Sequence, residues 1–149
     1  MRQSRLFCGV RKPGFSLPEV AVALAIMAVL LSIALHRFTT LRDATSVRAA
    51  TGDLGSAFSL ARQVAVSNRR VVAIVLDTGR GVVEVRWGGA KVARRDLGAT
   101  YSVHLGSNRD SAVFDARGVG YGLSNLSVAI RRGRFVDTLT MSRLGRVRW

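Results

Sequence analysis

The spacing of apolar and polar positions divides the chain into segments of different period. Residues 20–35 read VAVALAIMAVLLSIAL, in which Ser32 is the one polar residue. Counted from Phe15, the apolar stretch to Leu35 has 21 residues, close to the roughly 20 that a helix needs to span a bilayer. Beyond it, Val47, Ala50, Leu54, Ala57/Phe58, Ala61 and Val64/Ala65 recur at steps of three and four, with Arg48, Thr51, Asp53, Ser56, Arg62 and Gln63 assigned to the other side. This is the stripe of an amphipathic helix. It suits packing on the chain's own sheet better than docking to a partner. Gly52 and Gly55 weaken its middle and allow a bend there. The pattern stops at Ser67-Asn68-Arg69-Arg70, with Asn68 as the helix-ending residue.

From Val71 the period becomes two. Val71 to Leu76 reads as a buried strand, Asp77-Thr78-Gly79-Arg80-Gly81 as a turn, and Val82 to Trp87 as a strand with Val83, Val85 and Trp87 on one face and Glu84 and Arg86 on the other. The two strands form a hairpin. Further strands are predicted at 91–94, 100–105, 112–115, 126–131, 134–141 and 146–149, separated by glycine-rich links such as Arg117-Gly118-Val119-Gly120-Tyr121-Gly122. One long helix followed by many short strands is an α+β plan: a helix that is first transmembrane and then amphipathic, packed on an antiparallel sheet or sandwich. The expected divisions are 1–14, a basic N-terminal segment; 15–36, a transmembrane helix; 37–70, its amphipathic continuation; and 71–149, a β-rich head.

Charge and reactive side chains narrow the chemistry. The net charge is +14, from 23 basic and 9 acidic residues. Arg2, Arg5, Arg11 and Lys12 supply +4 before residue 15, which leaves +10 for residues 15–149. Such an excess points to an anionic partner. Lys12 and Lys91 are the only lysines, so an arginine-rich genome is an alternative source of part of the excess. The single cysteine is Cys8, and His36 and His104 stand far apart. No disulfide, cofactor or metal site is expected in residues 15–149. The acids are scattered singly, no Ser-His-Asp set is identifiable, and the glycine clusters lack a phosphate-cradling spacing. An enzyme is not expected.

The segment Gly14-Phe15-Ser16-Leu17-Pro18-Glu19, behind a basic stretch and ahead of an apolar helix, resembles the type IV prepilin signature. An ordinary secretory signal would carry its small-residue cleavage site after the apolar core, and His36-Arg37-Phe38 offers none. The resemblance implies cleavage between Gly14 and Phe15 by a prepilin peptidase, N-methylation of Phe15, and a role for Glu19 in filament assembly, where a neighbouring subunit's amine neutralises it. A carboxylate at the edge of an apolar span is costly without a partner; the plainer alternative is that Glu19 rests at the helix N-terminus, where negative charge is favourable. Pro18 departs from the commonest aliphatic residue, but proline is tolerated in a first helical turn. The basic residues ahead of the span orient it with the leader cytoplasmic. That makes the chain a single-pass protein of the inner (cytoplasmic) membrane, with its head in the periplasm or in an extracellular pilus.

Three further segments narrow the resemblance. Leu60-Ala61-Arg62 with Ser67 to Val71, then Phe114-Asp115-Ala116-Arg117-Gly118, then Gly145-Arg146-Val147-Arg148 are similar to the corresponding segments of GspH/FimT-type minor pilins, in the same order. Other pilin or pseudopilin subunits are the implied partners. Two functions remain: a DNA-binding minor pilin serving DNA uptake in natural transformation, and a structural minor pseudopilin of a type II secretion system or pilus tip with no nucleic-acid role. The charge favours the first. Residues 131–149 hold Arg131, Arg132, Arg134, Arg143, Arg146 and Arg148 against one acid, Asp137. Arg146 and Arg148, two apart, share a strand face, and Arg132 and Arg134 stand in the same relation. Guanidinium forks match phosphate oxygens and would hold double-stranded DNA with little sequence preference. Trp149 offers a stacking platform for a base or, equally, an apolar cap on the sheet.

Overall fold

A computed structural model describes residues 14–121 and 125–149, leaving the side chain of His36 aside. The chain divides into two compact units, one up to Phe38 and one from Thr39 to Trp149. Helix α1 runs from Leu17 to Ser67. In the first unit its apolar residues, Val20 to Leu35, are exposed on every side, and the helix is long and apolar enough to cross a membrane. A helix that is hydrophobic all round requires lipid or other protein against it.

In the second unit, α1 supplies Val47, Ala50, Leu54, Ala57, Phe58, Ala61 and Ala65 to the core, as the three- and four-residue steps predict. Thr51 departs from the prediction. It is buried, and its hydroxyl donates to the Val47 carbonyl at 2.9 Å, which satisfies its one polar group on the helix itself. The helix runs through Gly52 and Gly55 without interruption. Gly55 has a packing role instead, since a Cβ there would stand 2.9 Å from the Trp149 ring. The helix closes on Arg69 in the left-handed region (φ 50°), with the Arg70 amide donating to the Ala65 carbonyl and the Arg69 amide to Val66. This is the Schellman arrangement, which meets the orphan carbonyls of the last turn.

The strands are β1 (Val72–Asp77), β2 (Val82–Trp87), β3 (Ala90–Asp96), β4 (His104–Ser107), β5 (Ser111–Phe114), β6 (Leu126–Arg132), β7 (Phe135–Met141) and β8 (Val147–Arg148). They form two antiparallel four-stranded sheets, ordered β3-β2-β1-β5 and β4-β6-β7-β8. The predicted β1–β2 hairpin is present, with Ile74 opposite Val85. Residues 100–105 are not one strand. A short helix α2 (Leu97–Tyr101) comes first, because Asp96 caps it by accepting from the Ala99 amide at 2.9 Å and Ser102 ends it in the left-handed region. The Gly81 carbonyl also accepts from the Leu97 and Gly98 amides. Local capping outweighs strand preference there.

The core joins α1 to both sheets. Ile74, Val83, Val85 and Phe114 come from the first sheet, and Leu126, Val128, Ile130 and Leu139 from the second. In the second sheet these residues alternate with an outward set in which Ser127, Thr140 and Arg148 stand in one row across β6, β7 and β8. Arg131 and His104 lie opposite each other on β6 and β4. By strand alternation this outward face carries no carboxylate among the described residues, since Asp137 sits opposite the buried Ile130.

Candidate functional site

The six C-terminal arginines do not form one cluster. Arg146 and Arg148 line one groove of about 450 Å³ with Asn125, Ser127, Thr140 and Leu144. Both are exposed, and among the described residues neither has a carboxylate within ion-pair distance. A tight turn fixes their backbone: the Ser142 amide donates to the Arg146 carbonyl at 2.8 Å, the Gly145 amide to the Ser142 carbonyl at 2.9 Å, and the Arg146 amide to the Ser142 hydroxyl at 3.3 Å.

Gly145 brings that turn against the Phe-Asp-x-x-Gly segment. Its φ is +72°, and a Cβ would stand 2.7 Å from the Gly118 carbonyl oxygen and 3.3 Å from Phe114. Two segments that the sequence displays far apart therefore touch. Asp115 stiffens the other partner. Its Oδ1 accepts from the Arg117 and Val119 amides at 2.9 Å each, and the Arg117 guanidinium lies 3.2 Å from Oδ2. The Val119 amide, then the amide and guanidinium of Arg117, hold its carboxyl below the usual carboxylate range against a smaller opposing effect of burial. A depressed carboxyl adds stability above the ordinary carboxylate pKa of about 3.9, and that stability is lost as pH falls below it. Asp115→Ala is expected to lower the melting temperature most near neutral pH, with the gap to wild type narrowing below about pH 4; thermal melts across pH check it.

Arg132 is engaged elsewhere. Its Nε lies 2.7 Å from Asp43 Oδ1, and its Nη1 donates to the Ser46 hydroxyl and the Tyr101 carbonyl. It is the most covered arginine of the ion pairs, at 19% side-chain exposure, and it ties β6 to α1. Arg134 does not share a strand face with it, because Gly133 and Arg134 form the turn between β6 and β7. The Arg134 guanidinium lies over the Phe135 ring, 5.2 Å from its centroid. Arg131 is exposed on the outward face of β6, four residues and about 13 Å along the strand from Ser127. Arg143 does not line the groove of Arg146 and Arg148 but a second one of about 220 Å³, with Arg109 and Tyr121. Arg109 lacked any signal in local spacing. Trp149 lies against Gly55 of α1 and remains 65% exposed.

At the other end of the chain, Phe15 is exposed, and Glu19 Oε2 accepts from the Ser16 amide and hydroxyl at 3.4 Å each. This is the glutamate half of a capping box, in which Glu reaches back to a Ser three residues earlier. The expected leader, with Arg2, Arg5, Cys8, Arg11 and Lys12, lies outside the described residues except for Gly14.

Comparison with known proteins bears on the N-terminal segment and on the fold. Residues 10–35 match the model of the prokaryotic N-terminal methylation motif. The fold is similar to the type IV minor pilin FimU of Pseudomonas aeruginosa in two crystal forms. One has a TM-score of 0.60 at 20% identity, over 70% of this chain and 87% of that one. The other has a TM-score of 0.57 at 19% identity, over 68% and 90%. No curated protein matches by sequence. The methylation motif joined to a minor-pilin fold makes this a type IV pilin-like chain. Within that class the fold it resembles is that of a minor pilin.

Proposed function

We propose that this chain is a minor subunit of a type IV pilus-like filament, of the GspH/FimT type, whose head holds the DNA backbone during DNA uptake. Cleavage after Gly14 by a prepilin peptidase and N-methylation of Phe15 mature it. The apolar half of α1 anchors it in the inner membrane with the head on the far side. Glu19 leaves Ser16 to pair with a neighbouring subunit's amine. Intact-mass measurement of the purified chain tests the maturation: residues 1–14 absent and one methyl group added.

The observation that carries the DNA reading is the Arg146–Arg148 groove on a sheet face that, among the described residues, holds no carboxylate. Two unpaired guanidiniums flanked by Ser127 and Thr140 hydroxyls suit phosphate oxygens. Arg131 extends the same face and Arg134 stands at its hairpin end, whereas Arg132 is committed to Asp43. Fluorescence anisotropy of the full chain in zwitterionic detergent with labelled duplex tests it. The Arg146→Gln/Arg148→Gln variant should bind more weakly at every sequence. Its slope of log K against log salt should flatten by about 0.9 for each phosphate the variant no longer neutralises. Equal binding by that variant removes the site. No binding by the wild type at low salt removes the DNA reading and leaves the structural pseudopilin role.

A further inference from the structure

The two grooves are not independent. Both are lined by Met141 and Ser142, with Arg146 and Arg148 in the first and Arg143 with Arg109 in the second. The second groove has a feature that the first lacks. Tyr121 lines it and is 73% exposed, while its backbone is pinned by a 2.7 Å hydrogen bond from its amide to the Val113 carbonyl. Arg109 is held in a similar way, since the Ser107 hydroxyl donates to its carbonyl at 2.6 Å. Asp110, its neighbour in sequence, is not part of the lining, and neither arginine has a carboxylate within ion-pair distance among the described residues. Two arginines lining one groove with an exposed aromatic residue on fixed backbone match the two parts of a nucleotide, phosphate and base face.

A base inside a duplex presents its edges in the grooves and keeps its faces stacked on neighbouring pairs. A tyrosine ring can be stacked only by a base that is unpaired. We infer that the Arg109–Arg143–Tyr121 groove binds an unpaired nucleotide segment continuing past the turn from the Arg146–Arg148 groove, so that the head holds a single strand more tightly than backbone contacts alone allow. This rests on the DNA reading above and adds a strand preference to it.

The test uses the full chain in detergent with a labelled 20-nucleotide oligothymidylate (about the length of a few binding sites) and a duplex of the same length. Tyr121→Ala should weaken oligothymidylate binding by about 5- to 150-fold, leave duplex binding within about twofold, and keep the wild-type melting temperature. Tyr121→Phe should bind oligothymidylate like wild type, because the ring and not the hydroxyl is used. Arg109→Gln/Arg143→Gln should weaken the oligothymidylate and flatten its salt slope by about 0.7 for each phosphate released. Unchanged oligothymidylate binding by Tyr121→Ala overturns the inference while leaving the DNA reading intact. An equal loss for duplex and single strand overturns it too. Absence of binding to either probe by the wild type removes both.

Discussion

Phe114→Ala is expected to destabilise the head by about 3–5 kcal/mol, the cost of a large ring removed from a closed core, read as a fall in melting temperature of roughly 10–25 °C. Phe114 is fully buried at the end of β5. Its ring meets Phe58 of α1 edge-on, with centroids 6.4 Å apart and planes at 79°, a geometry that adds to area burial. It also lies beneath Gly145. One ring therefore joins the helix, the first sheet and the turn that carries Arg146. Phe114→Leu, which keeps most of the apolar volume, should recover more than half of the loss. Thermal melts followed by circular dichroism check both. A loss below about 1 kcal/mol for Phe114→Ala would mean the pocket collapses around the missing ring.

The second large effect is expected at Gly145. Gly145→Ala meets two penalties: a left-handed backbone, about 1–2 kcal/mol for a residue with a Cβ, and a Cβ placed 2.7 Å from the Gly118 carbonyl oxygen. Backbone on both sides leaves little to move aside, so the total should reach about 2–4 kcal/mol. Gly88→Ala separates the two causes. Gly88 also has positive φ, +56°, but open space around it, so it should cost only about 1 kcal/mol. Gly145→Ala should also weaken duplex binding although both arginines remain, because the turn that aims them is displaced. Gly88→Ala should leave binding unchanged. Anisotropy and melts on the three proteins decide the matter.

Much of the fold was legible from periodicity. A 3.6-residue stripe and an alternation of period two are consequences of local geometry, so the buried face of α1 and the β1–β2 hairpin follow from neighbours in sequence. The Gly14–Glu19 segment is likewise local, and the bond from the Ser16 amide to Glu19 is within its own turn. The strand expected at 100–105 failed because Asp96 caps a helix whose first amides find the Gly81 carbonyl, and that partner belongs to a different hairpin. Thr51 was assigned to the wrong side because a hydroxyl satisfied by the preceding turn of its own helix is cheap to bury.

The arginines divide along the same line. Spacing alone placed Arg146 with Arg148 and Arg132 with Arg134 on equal terms, and only the first pair shares a groove. Arg132 is taken up by Asp43, 89 residues away in the chain, and Arg143 acquires Arg109 from another strand connection. The sequence by itself determined most of the elements, the apolar span, the prepilin-like N-terminus and the excess of positive charge, because each depends on residue type and short-range order. Only the tertiary structure decided which positive charges are neutralised and which stand together. Ion pairs and grooves depend on distances between segments that packing, not sequence proximity, brings within a few ångströms.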